Sequence, residues 1–276
     1  MSTPSHTSQT LAFIGGGNMA SAIIGGLIKQ GTPATRIVVV EPFEEARQRL
    51  QSQFGVRALP QADATLTEAG LVVWAVKPQT FKEAAQQTHQ FCKNALHLSV
   101  AAGIRSDSIA NWLGTERVVR AMPNTPALVG LGQTGLFARA AVTASDKAWI
   151  EQVVTTTGSL LWVDDEPLLD AVTALSGSGP AYVFFFIEAM VEAGVKMGLT
   201  ATQATQLAIG TFEGASQLAK TASEPPSVLR ERVTSKGGTT YAALTSMQNA
   251  HLGELFQAAL QAAQHRAHEL GNEFGA

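Results

Sequence analysis

A glycine-rich turn near the start of the chain reads Gly15-Gly16-Gly17-Asn18-Met19-Ala20. It follows an apolar run over residues 11–14, which is typical of a buried strand, and it opens a helical pattern over 18–29. In this context the first glycine allows a tight turn, Gly17 lets the backbone approach a pyrophosphate, and Ala20 lets helix and strand pack closely. The turn therefore predicts a site for NAD or NADP, although a glycine-rich turn that binds nothing would share these residues.

Apolar runs alternate with helical patterns through the first half of the chain. The runs that read as strands cover residues 11–14, 37–40, 71–76, 96–100 and 118–121. Continuous apolar runs favour a parallel sheet covered on both faces, and their alternation with helices favours βαβ units. We therefore predict an α/β Rossmann-type, doubly wound sheet over residues 11–164. A polar segment over 1–10 is expected to be a disordered tail.

The second half of the chain predicts helices and no convincing strand after Trp162-Val163. The predicted helices cover residues 181–197, 201–219, a short segment from Pro225-Pro226, 239–249 and 252–270. The first of them contains Phe184-Phe185-Phe186 and is apolar nearly all round, so it must be buried on several sides. About 110 residues offer limited cover, which favours a second copy of the chain as the partner. We predict an all-α C-terminal dimerisation domain over 165–276.

Composition excludes several other classes of protein. The formal net charge of −3 argues against a nucleic-acid partner, and we find no run of eighteen apolar residues that would predict a membrane span. The single cysteine, Cys92, makes no internal disulfide, which fits a reducing cytoplasm. His265 and His268 lie three residues apart on a predicted helix without a third ligand nearby, so we predict no metal site.

The ends of the predicted strands carry the other candidate cofactor residues. Glu41 lies 21 residues after Ala20, where a carboxylate binds the ribose 2′-OH of NAD and repels a 2′-phosphate. Arg47 and Arg49 on the next helix leave NADP open, and Glu41 could instead merely cap that helix. Later strand ends carry a lysine-proline turn, an alanine-glycine turn and an asparagine, which line a ligand crevice or form ordinary turns. The predicted cofactor-binding residues are Ile14, Gly15, Gly16, Gly17, Asn18, Met19, Glu41, Ala75, Val76, Lys77, Pro78, Ala101, Ala102, Gly103 and Asn124.

A hydroxyl-rich loop in the helical half is the candidate substrate site. It reads Val233-Thr234-Ser235-Lys236-Gly237-Gly238-Thr239-Thr240 and precedes a helix. Backbone N–H groups at Gly237, Gly238 and Thr239 would point outward at the helix start, which suits a carboxylate, and Ser235 and Thr240 add hydroxyl donors. A simple N-cap would explain one hydroxyl but not four around two glycines. A second stretch, Leu175-Ser176-Gly177-Ser178-Gly179-Pro180, is either an anion nest or a bend between helices.

Together these motifs resemble the pyrroline-5-carboxylate reductase family, which catalyses the last step of proline synthesis. The resemblance covers residues 11–270. It depends on the glycine turn, on Ala75-Val76-Lys77-Pro78-Gln79, on Met122-Pro123-Asn124-Thr125-Pro126, on residues 170–182, and on 229–244 with the hydroxyl-rich loop. Lys236 stands where many members carry proline. Glu41 departs from the smaller or basic residues that often accompany NADP, which leaves NADH and NADPH both open as the cofactor.

The resemblance implies a reaction and an assembly. NAD(P)H would give a hydride to C5 of the cyclic imine and form L-proline. Thr240 would be the catalytic residue, with its hydroxyl at the ring nitrogen. Ser235, Gly237, Gly238, Thr239 and Thr240 would bind the substrate, with Glu166 as a further candidate. The family also implies a homodimer swapped through the C-terminal helices, extending to a decamer of dimers, with the site shared between subunits.

Two other functions remain open from the residues alone. A β-hydroxyacid dehydrogenase or another imine reductase would have the same two-part architecture, but such dehydrogenases place a catalytic lysine in the long interdomain helix. Lys196 is the only lysine in that predicted helix and lies near its far end. A sensor or scaffold that binds NAD(P) without turnover would not require the loop from Ser235 to Thr240.

Overall fold

The computed structural model describes residues 9–275 and divides the chain into two compact units. The first, here called the sheet unit, comprises the described residues up to Ser178 and those from Ala263 onward. The second, the helical unit, is Gly179–Ala262. Residues 1–8 of the expected tail lie outside the described part, and Thr10 begins the first strand, so the tail prediction was wrong for that residue.

The sheet unit is built on an eight-stranded sheet in the order β3-β2-β1-β4-β5-β6-β7-β8. The strands are β1 (Thr10–Ile14), β2 (Ile37–Val40), β3 (Arg57–Leu59), β4 (Ala69–Trp74), β5 (Leu96–Ser99), β6 (Val118–Met122), β7 (Gly132–Ala138) and β8 (Gly158–Trp162). All neighbouring strands are parallel except β6 and β7. Two buried clusters, one on each face, confirm the predicted doubly wound Rossmann-type sheet.

The helices of the sheet unit follow its strands. They are α1 (Asn18–Lys29), α2 (Glu44–Phe54), α3 (Pro78–Thr88), α4 (Ser106–Leu113), α5 (Ala144–Val154) and α6 (Leu168–Val172). A π-helix over Thr173–Gly177 follows α6, so this part of the candidate bend is helical. The chain then continues through α7 (Gly179–Lys196), α8 (Ala201–Thr221), α9 (Pro226–Arg232), α10 (Thr239–Asn249) and α11 (Leu252–Phe274).

The sheet unit extends beyond the predicted domain boundary at 164/165. Its helix α6 packs directly on strand β7, because a Cβ atom at Gly135 would lie 2.8 Å from Val172 Cγ1 and 3.2 Å from Leu169 Cδ2. At the other end of the chain, Asn272 Oδ1 accepts a hydrogen bond from Arg105 at 2.7 Å. The last turns of α11 therefore complete the sheet unit rather than the helical one.

The helical unit leaves much apolar surface uncovered. Within it α7 and α8 pack closely, since a Cβ atom at Gly194 would lie 2.9 Å from the Cβ of Ala204. Phe184 and Phe185 of α7 are nevertheless 60% and 65% exposed. Leu168–Lys196 is also long and apolar enough, by length and composition alone, to cross a membrane, although it contains no run of eighteen apolar residues. An apolar face at a subunit interface meets the same criterion.

Candidate active site

The glycine turn joins β1 to α1 in a shape that only small residues allow. Gly15 has φ +94°, and a Cβ atom there would lie 2.6 Å from the carbonyl oxygen of Ala75. A Cβ atom at Gly17 would instead meet no atom within 4 Å, so this residue borders open space. Gly17 is also the N-cap of α1 and makes no side-chain cap hydrogen bond. The turn therefore offers space and helix N–H groups to a pyrophosphate, and a dinucleotide fits it.

Glu41 connects this turn to the end of β2. Its buried carboxylate accepts the backbone N–H of Gly16 through Oε2 at 2.8 Å and that of Phe43 through Oε1 at 3.0 Å. Helix α2 begins after Phe43 without a side-chain cap, so the alternative that Glu41 merely caps this helix is wrong. Because each carboxylate oxygen accepts more than one hydrogen bond, Glu41 can also bind a ribose hydroxyl.

The two arginines beside Glu41 bond to backbone carbonyls. Arg47 donates from Nη1 to the carbonyl oxygens of Glu41 and Pro42 at 2.9 and 2.7 Å. Arg49 donates to the carbonyl oxygen of Gly16 at 3.4 Å. Both guanidinium groups therefore stiffen the backbone around the turn, and their charges partly offset the acidic residues nearby.

The other predicted cofactor residues follow strands that lie side by side. Strands β1, β4, β5 and β6 are consecutive in the sheet, and their carboxyl ends lie at one edge because they are parallel. The turn after β4 is held to β1, since Ala75 donates its N–H to Ile14 at 2.8 Å. Lys77 is the exposed N-cap of α3. After β5, Ala101 is buried and Gly103 adopts φ +73°.

Asn124 follows β6, and its side chain holds neighbouring loops together. Its Nδ2 donates to the carbonyl and hydroxyl oxygens of Ser176 at 3.2 and 3.1 Å, and its Oδ1 accepts the N–H of Gln133 at 2.8 Å. With these three bonds the amide group is largely satisfied within the protein. The Asn124 side chain therefore connects the end of β6 to Ser176 and to Gln133 of β7.

Glu166 lies in the sheet unit, in a network that sequence reasoning did not anticipate. One carboxylate oxygen accepts the N–H of Ser106 at 2.7 Å and Nη1 of Arg120 at 3.0 Å, and the other accepts the Ser106 hydroxyl. Arg120 is buried in the middle of β6. Glu166 therefore anchors the start of α4 and neutralises a buried cation, which accounts for its carboxylate without a substrate. A charged residue inside the apolar run Val118-Val119-Arg120-Ala121 was the available signal.

The candidate substrate loop lies in the helical unit, at the start of α10. Gly237 adopts φ +75°, and Gly238 is the N-cap of α10 without a side-chain cap. The N–H of Gly238 donates to the carbonyl of Ser235 at 3.0 Å. A Cβ atom at Gly238 would lie 2.7 Å from Ser235 Oγ, so glycine lets this hydroxyl fold back over the turn. Thr240 is half-buried in the first turn of the helix.

The remaining reactive side chains have ordinary surroundings. Burial raises the pKa of Cys92 to about 12, so it is a thiol rather than a nucleophilic thiolate. His265 pairs with Glu269 at 3.1 Å, and His268 lies 3.4 Å from Asp170. Across residues 9–275, His, Cys, Asp and Glu side chains form no group of three that would hold a metal ion. Lys196 is the last residue of α7.

Comparison with known proteins identifies the family. Residues 166–270 match the family model described as pyrroline-5-carboxylate reductase dimerisation, and residues 10–103 match that of coenzyme F420-dependent NADP oxidoreductases. The pyrroline-5-carboxylate reductase of Pseudomonas aeruginosa is 43% identical, with all of both chains aligned. The chain belongs to the pyrroline-5-carboxylate reductase family. The pyrroline-5-carboxylate reductase of Vibrio alginolyticus is 40% identical over 96% of this chain and 99% of the relative.

Solved structures agree with membership of the pyrroline-5-carboxylate reductase family. The Coxiella burnetii enzyme superposes with a TM-score of 0.90 at 38% identity, covering 95% of this chain and 98% of the other. The Plasmodium falciparum pyrroline carboxylate reductase, solved with NADP bound, gives 0.85 at 26% identity over 97% and 100% of the two chains. A reductive aminase from Aspergillus terreus, with a TM-score of 0.59 at 16% identity over 96% and 94% of the two chains, shares the fold alone.

Proposed function

We propose that this chain reduces 1-pyrroline-5-carboxylate to L-proline with NADH or NADPH. The observation that carries the proposal is the open space at Gly17 above an uncapped helix start, in a chain of the pyrroline-5-carboxylate reductase family. When bound, the nicotinamide supplies a hydride to C5 of the cyclic imine. The protein has little acid catalysis to perform, because a protonated imine is already an electrophile, and most of the rate enhancement comes from positioning.

The hydroxyl-rich loop of the helical unit is our proposed substrate site. The backbone N–H groups of Gly237, Gly238 and Thr239 at the uncapped start of α10 suit the substrate carboxylate. Ser235 adds a hydroxyl beside them. Thr240 would hold the proton at the ring nitrogen through its hydroxyl group, and it is the catalytic residue in this proposal.

The cofactor would lie along the carboxyl edge of the sheet. The turn from Gly15 to Met19 would hold the pyrophosphate, and Glu41 would bind the adenosine ribose. The segments 75–78 and 101–103 would border the nicotinamide half. Ile14 and Asn124 would support these segments rather than bind through their side chains. Glu41 is buried and bonds to the turn itself, so its carboxylate is fixed where it would repel a 2′-phosphate. We therefore favour NADH over NADPH.

The chain forms homo-oligomers through its dimerisation domain, which the family model covers over residues 166–270. We further propose a homodimer built on the exposed apolar face of α7, and its assembly into a decamer of dimers. In that dimer the partner's helices would complete the substrate site. We place the enzyme in the cytoplasm, where a buried free thiol such as Cys92 stays reduced.

Parallel assays of NADH and NADPH oxidation with pyrroline-5-carboxylate test the proposal. We expect both cofactors to be oxidised only when the imine is present, with the higher kcat/KM for NADH. Oxidation of neither cofactor by a protein that binds them would favour a sensor without turnover. A parallel assay with a β-hydroxyacid and NAD separates the dehydrogenase alternative, which would reduce NAD.

A further inference from the structure

We propose that the side chain of Phe43 stacks on the adenine ring of the cofactor. This assignment rests on the proposed function. Phe43 follows the buried strand β2 by three residues, yet its side chain is 73% exposed. With Glu44, Glu45 and Gln48 it lines an open depression of about 460 Å³. An exposed phenyl ring at a concave surface is a common sign of a binding site.

The position of the depression along the cofactor follows from Glu41. One oxygen of its carboxylate binds Gly16 in the pyrophosphate turn, and the other binds the backbone N–H of Phe43. The same side chain therefore fixes the phosphate turn and the start of the depression. In a dinucleotide the order of groups is pyrophosphate, ribose, adenine. With the pyrophosphate at the turn and the ribose at Glu41, the adenine must lie beyond Glu41, where the ring of Phe43 is exposed.

The chemistry of the depression suits a neutral purine. The Phe43 ring offers a face for stacking, an interaction that does not depend on the charge of the base. Glu44 and Glu45 provide acceptors for the exocyclic amino group of adenine. Gln48 donates to Glu44 Oε1 at 3.1 Å, which holds that carboxylate at the rim. This segment carries three carboxylates, including Glu41, and two arginines that bond to backbone carbonyls, so the local charge disfavours the extra phosphate of NADPH.

Binding measurements on the full-length protein test this assignment independently of turnover. The ligands are NADH and reduced nicotinamide mononucleotide, which keeps the nicotinamide half but lacks adenosine. We expect Phe43→Ala to raise the Kd for NADH about tenfold, within the range for loss of one base–aromatic stack, and to leave the Kd for the mononucleotide unchanged. Phe43→Trp should restore NADH binding. The matched control is Leu161→Ala, which should change neither Kd. Leu161 is an exposed apolar residue on β8, the outer strand at the opposite end of the sheet from β2 and β3.

Several outcomes would overturn the assignment. An unchanged Kd for NADH in Phe43→Ala is one, and an equal loss of affinity for the mononucleotide is another. A changed sedimentation coefficient with unchanged NADH binding would show that Phe43 contacts protein instead. If the wild-type protein binds NADH through Phe43 but never oxidises it with pyrroline-5-carboxylate, the proposed function is wrong, whereas the assignment of Phe43 to the adenine ring is confirmed.

Discussion

The carboxylate of Glu41 and the backbone N–H of Gly16 are joined by a buried hydrogen bond of 2.8 Å. The residue that would meet the ribose thus also holds the turn that would meet the pyrophosphate. We therefore expect a substitution at Glu41 to act both on selectivity for the ribose and on the shape of the phosphate site.

Replacing Glu41 by serine should shift cofactor preference towards NADPH. The variant loses the carboxylate partner of the 2′-OH and the repulsion of a 2′-phosphate, so kcat/KM for NADH should fall about tenfold or more while that for NADPH falls less. The measurement is kcat/KM for both cofactors at saturating imine. Glu83→Ser, an exposed change on α3, is the control. An unchanged ratio between the two cofactors would remove Glu41 from the ribose site.

Thr240→Ala should impair the chemical step and leave cofactor binding intact. Loss of a hydroxyl that holds a proton at the reacting nitrogen typically costs about 100-fold or more, so kcat/KM for the imine should fall by roughly that factor. Thr240→Ser should recover most of the activity. Thr245→Ala, on the same helix, is the matched control and should behave like the wild type. Wild-type kinetics in Thr240→Ala would rule out the proposed role.

Glu166→Ala should destabilise the protein, because it leaves Arg120 buried without a partner. The Arg120 side chain is only 5% exposed, and removing one partner of such a pair costs about 3–5 kcal/mol of unfolding free energy. Urea denaturation measures the change. Glu116→Ala breaks the exposed pair with Arg139 and should cost less than about 1 kcal/mol. Equal costs for the two variants would contradict a buried network.

His97 should make the protein sensitive to mild acid. Burial lowers its pKa to about 4, below the usual 6.5, although the carbonyl of Cys92 opposes the shift and Arg117 adds to it. As the pH falls, the unfolded chain therefore binds a proton at His97 near pH 6.5, whereas the folded chain binds it only near pH 4. The free energy of unfolding is therefore unaffected by the protonation of His97 above pH 6.5. It falls as the pH drops towards 4, by about 3 kcal/mol at most.

Unfolding free energies at pH 7.5 and pH 4.5 test the effect of His97. His97→Asn keeps an acceptor for Trp74, whose Nε1 donates to His97 Nδ1 at 3.0 Å, but cannot titrate. The difference between the two pH values should shrink in this variant. His265→Asn, an exposed change on α11, should leave the difference as in the wild type. No reduction in His97→Asn would locate the acid sensitivity elsewhere.

Phe185→Asp should weaken the dimer. The substitution puts a charge into a face that a partner would cover, so the variant should dissociate at protein concentrations where the wild type remains oligomeric. Sedimentation velocity over a dilution series measures this. Val129→Asp, at a highly exposed position in the sheet unit, is the control. An active wild-type monomer on dilution would refute the shared substrate site.

The sequence predicted the elements whose local pattern agrees with their final environment. Strand β2 and helix α10 have the predicted bounds. Strand β7 escaped prediction because Gly132 and Gly135 interrupt its apolar run. The reason lies far away in the chain: Gly135 is small so that α6 can pack on it. A local pattern cannot show a constraint imposed by a distant element.

The candidate site likewise contains residues whose position the sequence predicted and others whose role it did not. Spacing alone placed Glu41 opposite the glycine turn, because parallel strands bring their carboxyl ends to one edge. The role of Glu166 could not be read from spacing, since its partners Ser106 and Arg120 are separated from it by 60 and 46 residues. Its actual environment follows from the buried arginine that needs a counter-charge.

The return of α11 to the sheet unit has a consequence for biosynthesis. Ser108 donates to the carbonyl oxygen of Gly275 at 3.0 Å, and a Cβ atom at Gly103, within the proposed nicotinamide segment 101–103, would lie 3.1 Å from the Cβ of Leu270. The sheet unit therefore needs a segment, from Ala263 onward, that is translated after the whole helical unit. This unit can complete its fold only once residues 263–275 have been translated, and removal of that segment would act on the carboxyl ends of the strands where we propose the cofactor.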